Sequence, residues 1–266
     1  MGAGPTAASG IARVLAHPAR GNLAVALLSR SGDAGLAERL SRESNGGVLR
    51  AFKTDTSPEQ LGKTVPEVQS WAESLEGTGK GKLKLRLAVW NVKNSHRVPF
   101  EEESPAAFAE SLQVYVTGAM VFAQEVLKWM VGQDLGQDED GDVQGMRKKG
   151  TLVFIGTLGA LRTNPKFAAY GAARAGVRML AQSLAREYSE RGVHVVHAIA
   201  NGSIVDVDTT DEELRKGVQE KGALQKVKNG ENIRAESVGR LYLMLEAQSP
   251  DLWVHELDMR PAKEKF

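Results

Sequence analysis

Cysteine is absent from all 266 residues. Disulfides, thiol catalysis and cysteine-based zinc sites are therefore excluded. Net charge is nearly absent too, at a formal +1, so bulk charge gives no reason to expect nucleic acid or an acidic membrane surface as a partner. No apolar run reaches the roughly 18 residues that span a bilayer. Met1-Gly2-Ala3-Gly4-Pro5 has neither the basic nor the apolar region of a secretory signal, and a cytoplasmic protein is expected. There is no Gly-x-Ser-x-Gly elbow, which argues against an α/β-hydrolase. A Gly-x-x-x-x-Gly-Lys-Ser/Thr phosphate loop is also missing. The histidines at 17, 96, 194, 197 and 255 have no ligand spacing, so no metal is expected, and His194 and His197 read as packing residues.

What is present reads as one α/β domain spanning residues 1–266. Hydrophobic residues make up 42% and charged residues 25%, ordinary for a globular chain with a sizeable core. Residues 6–16 read as a helix stopped by Pro18. The apolar run Asn22 to Ser29 has strand length and the pattern of a strand covered on both faces. Extended segments are also expected at Val48 to Thr54, Leu85 to Val92, Thr151 to Ile155, Val193 to Ile199 and Leu252 to Leu257. Helices are expected between them, two opening on Ser57-Pro58 and Ser104-Pro105, where serine caps and proline takes the first helical position. Strands alternate with helices throughout, which argues for a doubly wound parallel sheet flanked by helices. Residues 133–149, acidic then basic and rich in glycine, read as a flexible surface insertion.

The chemistry concentrates between Gly150 and Arg174. A short apolar strand delivers the hydroxyl of Thr157, and a loop leads to a helix carrying Tyr170 and Arg174. Four residues make about one helical turn, so the last two share a face. A phenol beside a fixed cation suits a proton donor, because positive charge favours phenolate. A hydroxyl at the strand end suits binding of the oxygen whose charge changes.

These residues, in this order, resemble the short-chain dehydrogenase/reductase family over nearly the whole chain. Within it they are similar to a fungal subgroup of reductase-like proteins with a Gly-Ala-Gly-Pro loop. Three further stretches carry the likeness: Ala181-Gln-Ser-Leu-Ala-Arg-Glu-Tyr188, Gly192-Val-His-Val-Val-His-Ala198 and Glu256-Leu-Asp-Met-Arg-Pro261. The resemblance implies a Rossmann-like sheet, a nicotinamide cofactor, a small organic carbonyl or alcohol substrate, and a homodimer or homotetramer. The sheet of that family begins with a strand ending at the glycine loop. Here the loop stands at the start of the chain, so the first strand is expected to be missing or very short. The family's catalytic tyrosine aligns with Tyr170, its lysine with Arg174 and its serine with Thr157. Its Asn-Asn-Ala-Gly segment aligns with Asn91-Val-Lys-Asn94, with Asn91 against the cofactor and Asn94 plain loop. The relay asparagine aligns with Tyr115, read as a packing residue. Asp55 aligns with the group at the adenine edge, though it could equally help cap the next helix. Ile204 falls where the nicotinamide amide is held.

The glycine loop matches in two ways. With a four-residue gap, Gly2, Gly4, Gly10 and Ile11 approach the cofactor; without it, Thr6 replaces the middle glycine. At the end of the second family strand stands Ser29-Arg30-Ser31 rather than a carboxylate. An arginine flanked by hydroxyls suits a 2′-phosphate, so NADP (NADPH) is favoured over NAD. Two functions follow from the residues. One is an NADP(H)-dependent oxidoreductase in which Thr157, Tyr170 and Arg174 act. The other is a non-catalytic nucleotide-binding or interaction protein that kept the fold, suggested by Arg174, Tyr115, the altered loop and the missing strand. The charged segment Ser203 to Asn229 reads as a solvated lid.

Overall fold

The computed structural model describes residues 1–75, 83–92, 96–135 and 146–264. Asn94 and most of the expected insertion, residues 136–145, lie outside the described residues. The chain divides into two compact units, and neither is contiguous in sequence.

The first unit comprises Met1–Asp55, Ala200–Leu245 and Asp258–Phe266. Helix α1 (Ala7–Ala16) leads to strand β1 (Val25–Ser29), helix α2 (Ala34–Glu43) and strand β2 (Leu49–Lys53). β1 and β2 run parallel, with Val25 opposite Leu49 and Ser29 opposite Lys53. Leu27 of β1 is buried with Ala12 of α1 and Leu36, Ala37 and Leu40 of α2, which is why those helices carry apolar stripes. α2 starts where Asp33 accepts from the Leu36 amide. Beside β1, the amides of Gly2 and Ala3 each donate to the Leu28 carbonyl at 3.0 Å.

The same unit holds the short parallel pair β6 (Ile204–Val205) and β7 (Ile233–Arg234), and helices α7 (Glu212–Glu220), α8 (Ala223–Lys228) and α9 (Ala235–Ala247). The charged segment after β6 is solvated along α7, which buries no residue, but its start differs from the solvated lid expected there. Asp206 and Thr209 are buried. Asp206 meets Arg13 at 2.5 Å, and Arg13 also meets Glu43 at 2.7 Å and Glu236 at 3.4 Å. Glu43 in turn accepts from Thr210 and Arg39. Buried charges require partners of opposite sign, and Arg13 of α1 is that partner for Asp206 as well as for Glu43 of α2 and Glu236 of α9.

The second unit comprises Thr56–Ile199 and Glu246–Leu257. Its elements are α3 (Pro58–Ser74), β3 (Leu87–Trp90), α4 (Pro105–Leu112), α5 (Gly118–Gly132), β4 (Gly150–Gly156), α6 (Ala168–Tyr188) and β5 (Val193–Ala200). The strand order is β3-β4-β5-β8, where β8 is Glu256–Met259, and β3-β4 and β4-β5 are parallel. Every residue of β4 is buried, which explains its unbroken apolar sequence. Ser57 and Ser104 cap α3 and α4 as expected. The last strand starts later than Leu252, because the chain turns at Ser249–Leu252 and Leu252 is exposed.

α4 and α5 form one continuous helical stretch joined by a π-helical turn, Gln113–Thr117. Pro105–Gly132 is long and apolar enough by composition to cross a membrane, which differs from the expectation of no such run. Phe122, Val126, Leu127 and Met130 of this stretch are buried in the core of the unit, the usual setting of an apolar core helix.

Candidate active site

β4 ends at Gly156, and the next residue, Thr157, is extended. A tight turn, Leu158–Ala160, follows, its amide at Gly159 donating to Thr157 Oγ1 at 3.3 Å. The chain then reaches α6, where Tyr170 is the third helical residue. The Thr157 hydroxyl and the Tyr170 phenol are 2.9 Å apart. Gly159 makes that approach possible, since a Cβ there would lie 2.7 Å from the Tyr170 ring. Thr157 and Tyr170 are both half-buried. The strand-end hydroxyl and the helical phenol, thirteen residues apart, therefore meet as their spacing suggested.

One turn along α6, Arg174 is only 4% exposed. Its Nη1 donates to the Ile155 carbonyl at 3.0 Å, and its Nη2 donates to the Val92 carbonyl at 3.3 Å and to the Tyr115 hydroxyl at 3.0 Å. The guanidinium also lies 4.1 Å from the centre of the Tyr115 ring and 5.2 Å from that of Tyr170. No carboxylate pairs with it among the described residues. Its Nε is buried without a partner. Tyr115 comes from the π-helical turn, is fully buried, and sets its ring edge-on to Tyr170 at 6.3 Å. Sequence reasoning read Tyr115 as packing alone and missed its bond to Arg174. The signal was there in the arginine itself: a buried fork of five donors needs more acceptors than a lysine does.

Around this centre, Phe167 packs edge-on to Tyr170 at 5.6 Å, and Arg97 lies 4.6 Å from the centre of the Phe167 ring. Asn91 follows β3 directly, half-buried, and its side chain makes no hydrogen bond among the described residues. Its neighbour Val92 is the residue whose carbonyl Arg174 holds.

The other residues singled out for a cofactor belong to the first unit. Gly2 has φ +87°, a conformation that favours glycine. A Cβ at Gly4 would meet nothing within 4 Å, so its loop is open to an incoming group. Gly10 and Ile11 lie inside α1 and are buried. A Cβ at Gly10 would lie 2.6 Å from that of Ala235 and 3.3 Å from the Asp206 carboxylate. Gly10 thus admits α9 against α1, and the ungapped match, in which Thr6 replaces the middle glycine, agrees with a helix starting at Ala7. Ser29 Oγ accepts from the Gly32 amide and sits 3.2 Å from Ser31 Oγ. Arg30 is exposed and forms no ion pair among the described residues. Asp55 is exposed just after β2, and the cap of α3 is Ser57 rather than Asp55. Ile204 pairs with Ile233.

The family model for short chain dehydrogenase matches residues 6–217. The chain belongs to the short-chain dehydrogenase family. Among curated relatives of this chain, 2-(S)-hydroxypropyl-CoM dehydrogenase 3 of Xanthobacter autotrophicus is 28% identical over 175 residues, which are 65% of this chain and 59% of that protein. The chain thus spans little more than half of that relative's length. Among solved structures, an alcohol dehydrogenase from Thermococcus sibiricus complexed with 5-hydroxy-NADP superposes with a TM-score of 0.68 at 18% identity, covering 97% of this chain and 93% of that one. A 3-oxoacyl-[acyl-carrier protein] reductase from Brucella melitensis in complex with NAD gives a TM-score of 0.68 at 22% identity, covering 95% and 90%. At such identities the likeness is one of fold.

Proposed function

We propose that the chain is an NADP(H)-dependent oxidoreductase that interconverts a carbonyl and an alcohol on a small organic substrate. The observation carrying this reading is the 2.9 Å contact between the Thr157 hydroxyl and the Tyr170 phenol beside a buried, carboxylate-free Arg174. In the reduction direction, Tyr170 gives its proton to the substrate oxygen, and Thr157 hydrogen-bonds the same oxygen. Each such contribution accounts for about a hundredfold in rate or more. Arg174 is the cation beside that phenol, 5.2 Å from the centre of its ring. Because its Nη atoms are already engaged, Arg174 acts as a fixed charge, and Asn91 is a polar group at the end of β3 whose side chain makes no hydrogen bond among the described residues.

The nicotinamide, when bound, supplies or accepts the hydride. The residues of the first unit fit such a cofactor. The loop is open at Gly4 for phosphates, Gly2 beside it takes a backbone conformation that favours glycine, and exposed Arg30 with Ser29 and Ser31 would hold a 2′-phosphate by charge-assisted bonds. That last feature supports NADP over NAD. Gly10 and Ile11, inside α1, are left out of this assignment.

A second reading, a non-catalytic nucleotide-binding or interaction protein, draws on two observations. The Nη atoms of Arg174 are occupied by protein acceptors, and Thr6 stands where a glycine would admit a pyrophosphate closely. Thermal melting in titrations with NADPH and NADH decides whether a dinucleotide binds at all. The oxidoreductase reading expects NADPH to raise the melting temperature more than NADH does, since a ligand specific to the native state stabilises it. No shift with either at millimolar concentration contradicts it.

A further inference from the structure

His197 belongs to β5, is 1% exposed, and lies opposite Phe154 in the register with β4. Its Nδ1 is 3.1 Å from Glu256 Oε2. Arg178 grips that carboxylate with two bonds, of 2.7 and 2.8 Å. The other ring nitrogen, Nε2, is buried without a hydrogen-bond partner among the described residues. It is turned toward Gly156. A Cβ at 156 would fall 2.6 Å from the imidazole Cε1 and closer still to Nε2. The imidazole therefore fills the space that a side chain at 156 would need. Gly156 is bonded directly to Thr157, whose hydroxyl meets Tyr170.

We propose that His197, fixed by Glu256 and Arg178, is a positioning residue that sets the chain path at Gly156 and so places the Thr157 hydroxyl on Tyr170. Its bearing on turnover rests on the oxidoreductase reading; its bearing on geometry does not. With Nδ1–H donating to Glu256, the ring presents a bare nitrogen to Gly156. Protonation would place an N–H there with no acceptor. The charged groups that face the ring are Glu256 from β8 and Arg174 and Arg178 from α6; His255 offers its carbonyl to the His197 amide, and β4 contributes no charge. Burial holds the imidazole below its usual range, Glu256 opposes this, and the two arginines add to it. An unfolded chain takes up this proton near pH 6.5. Stability is therefore lost as pH falls from there through the lower folded value.

Two measurements test the proposal. The first is a cycle of Gly156→Ala, His197→Ala and the double variant, read by thermal melting. Gly156→Ala alone should lower the melting temperature sharply, whereas it should cost little when His197→Ala has removed the ring. Additive losses would overturn the proposal. The second follows the Tyr170 phenol by ¹³Cζ-tyrosine NMR across acid pH, assigned with Tyr170→Phe. In the wild type its resonance should move as His197 titrates, and in His197→Asn it should not; identical titrations in both would sink the idea. Neither readout needs turnover. Where turnover exists, Gly156→Ala should reduce kcat by roughly a hundredfold through misplacement of Thr157. If the wild type reduces no carbonyl, the oxidoreductase reading fails while the cycle and the titration still decide the role of His197.

Discussion

Arg13 and Arg174 are buried to the same degree, each 4% exposed, and their surroundings are opposite. Arg13, in the first unit, faces Glu43, Asp206 and Glu236. Arg174, in the second unit, faces two carbonyls, a phenol and two aromatic rings. Three carboxylates cancel the charge of Arg13, so it serves as a tie between α1, α2, the segment after β6 and α9. The charge of Arg174 is only dispersed over dipoles and ring faces. An uncancelled buried cation is costly unless something negative forms beside it. In the proposed reaction, Tyr170 becomes such a group when it gives up its proton. Burial alone thus does not distinguish the two arginines; the sign of the partners does.

Breaking the Arg13 side should have the largest effect. Arg13→Met leaves three buried carboxylates without their common partner and should destabilise the fold by about 3–5 kcal/mol, read as a lower urea midpoint at pH 7. An unchanged midpoint would show that Arg20, Arg39 and Arg240 suffice for the cluster.

The same cluster should show in acid. Burial alone would raise the Glu43 carboxyl, but hydrogen bonds from Thr210 and Arg13 hold it at about 2, against an ordinary 4.5. A carboxylate lowered in the folded state contributes stability above its unfolded value, and that contribution is lost as pH falls through the folded one. Asp206, raised chiefly by burial, works in the opposite sense. Melting temperature should therefore drop between pH 4.5 and 2 in the wild type, and less in Glu43→Gln.

On the other side of the comparison, Arg174→Lys keeps the charge but removes the fork. A single ammonium cannot reach Ile155 O, Val92 O and the Tyr115 hydroxyl in the same geometry. Turnover should fall about tenfold, the equivalent of one lost charge-assisted bond. A rise would mean that arginine had impaired the site. Tyr115→Phe is the mildest change. The ring contact survives, the hydrogen bond from Arg174 goes, and the expected loss is about 1 kcal/mol of stability, visible by calorimetry.

Much of the fold was legible because it is locally encoded. The apolar runs of β4 and β5 are strands buried on both faces, and Ser57-Pro58 and Ser104-Pro105 start helices where they should. The pair Thr157 and Tyr170 was legible from spacing, since a strand end and the first turn of the next helix return to each other. What escaped depends on distant partners. Asp206 looked solvated because the arginine that buries it lies 193 positions away. Tyr115 looked inert because Arg174 is 59 positions away and nothing in Gln113–Thr117 marks a π-helical turn. Gly10 looked like a phosphate glycine until Ala235 was seen against it.

The central claim is that Tyr170 is the proton donor of a carbonyl reductase site. Its most direct test is NADPH-dependent turnover of a carbonyl panel by the wild type and Tyr170→Phe, with NADPH binding measured in both. The account predicts a loss of roughly a hundredfold or more in kcat with cofactor affinity unchanged. Equal rates in the two proteins would contradict it.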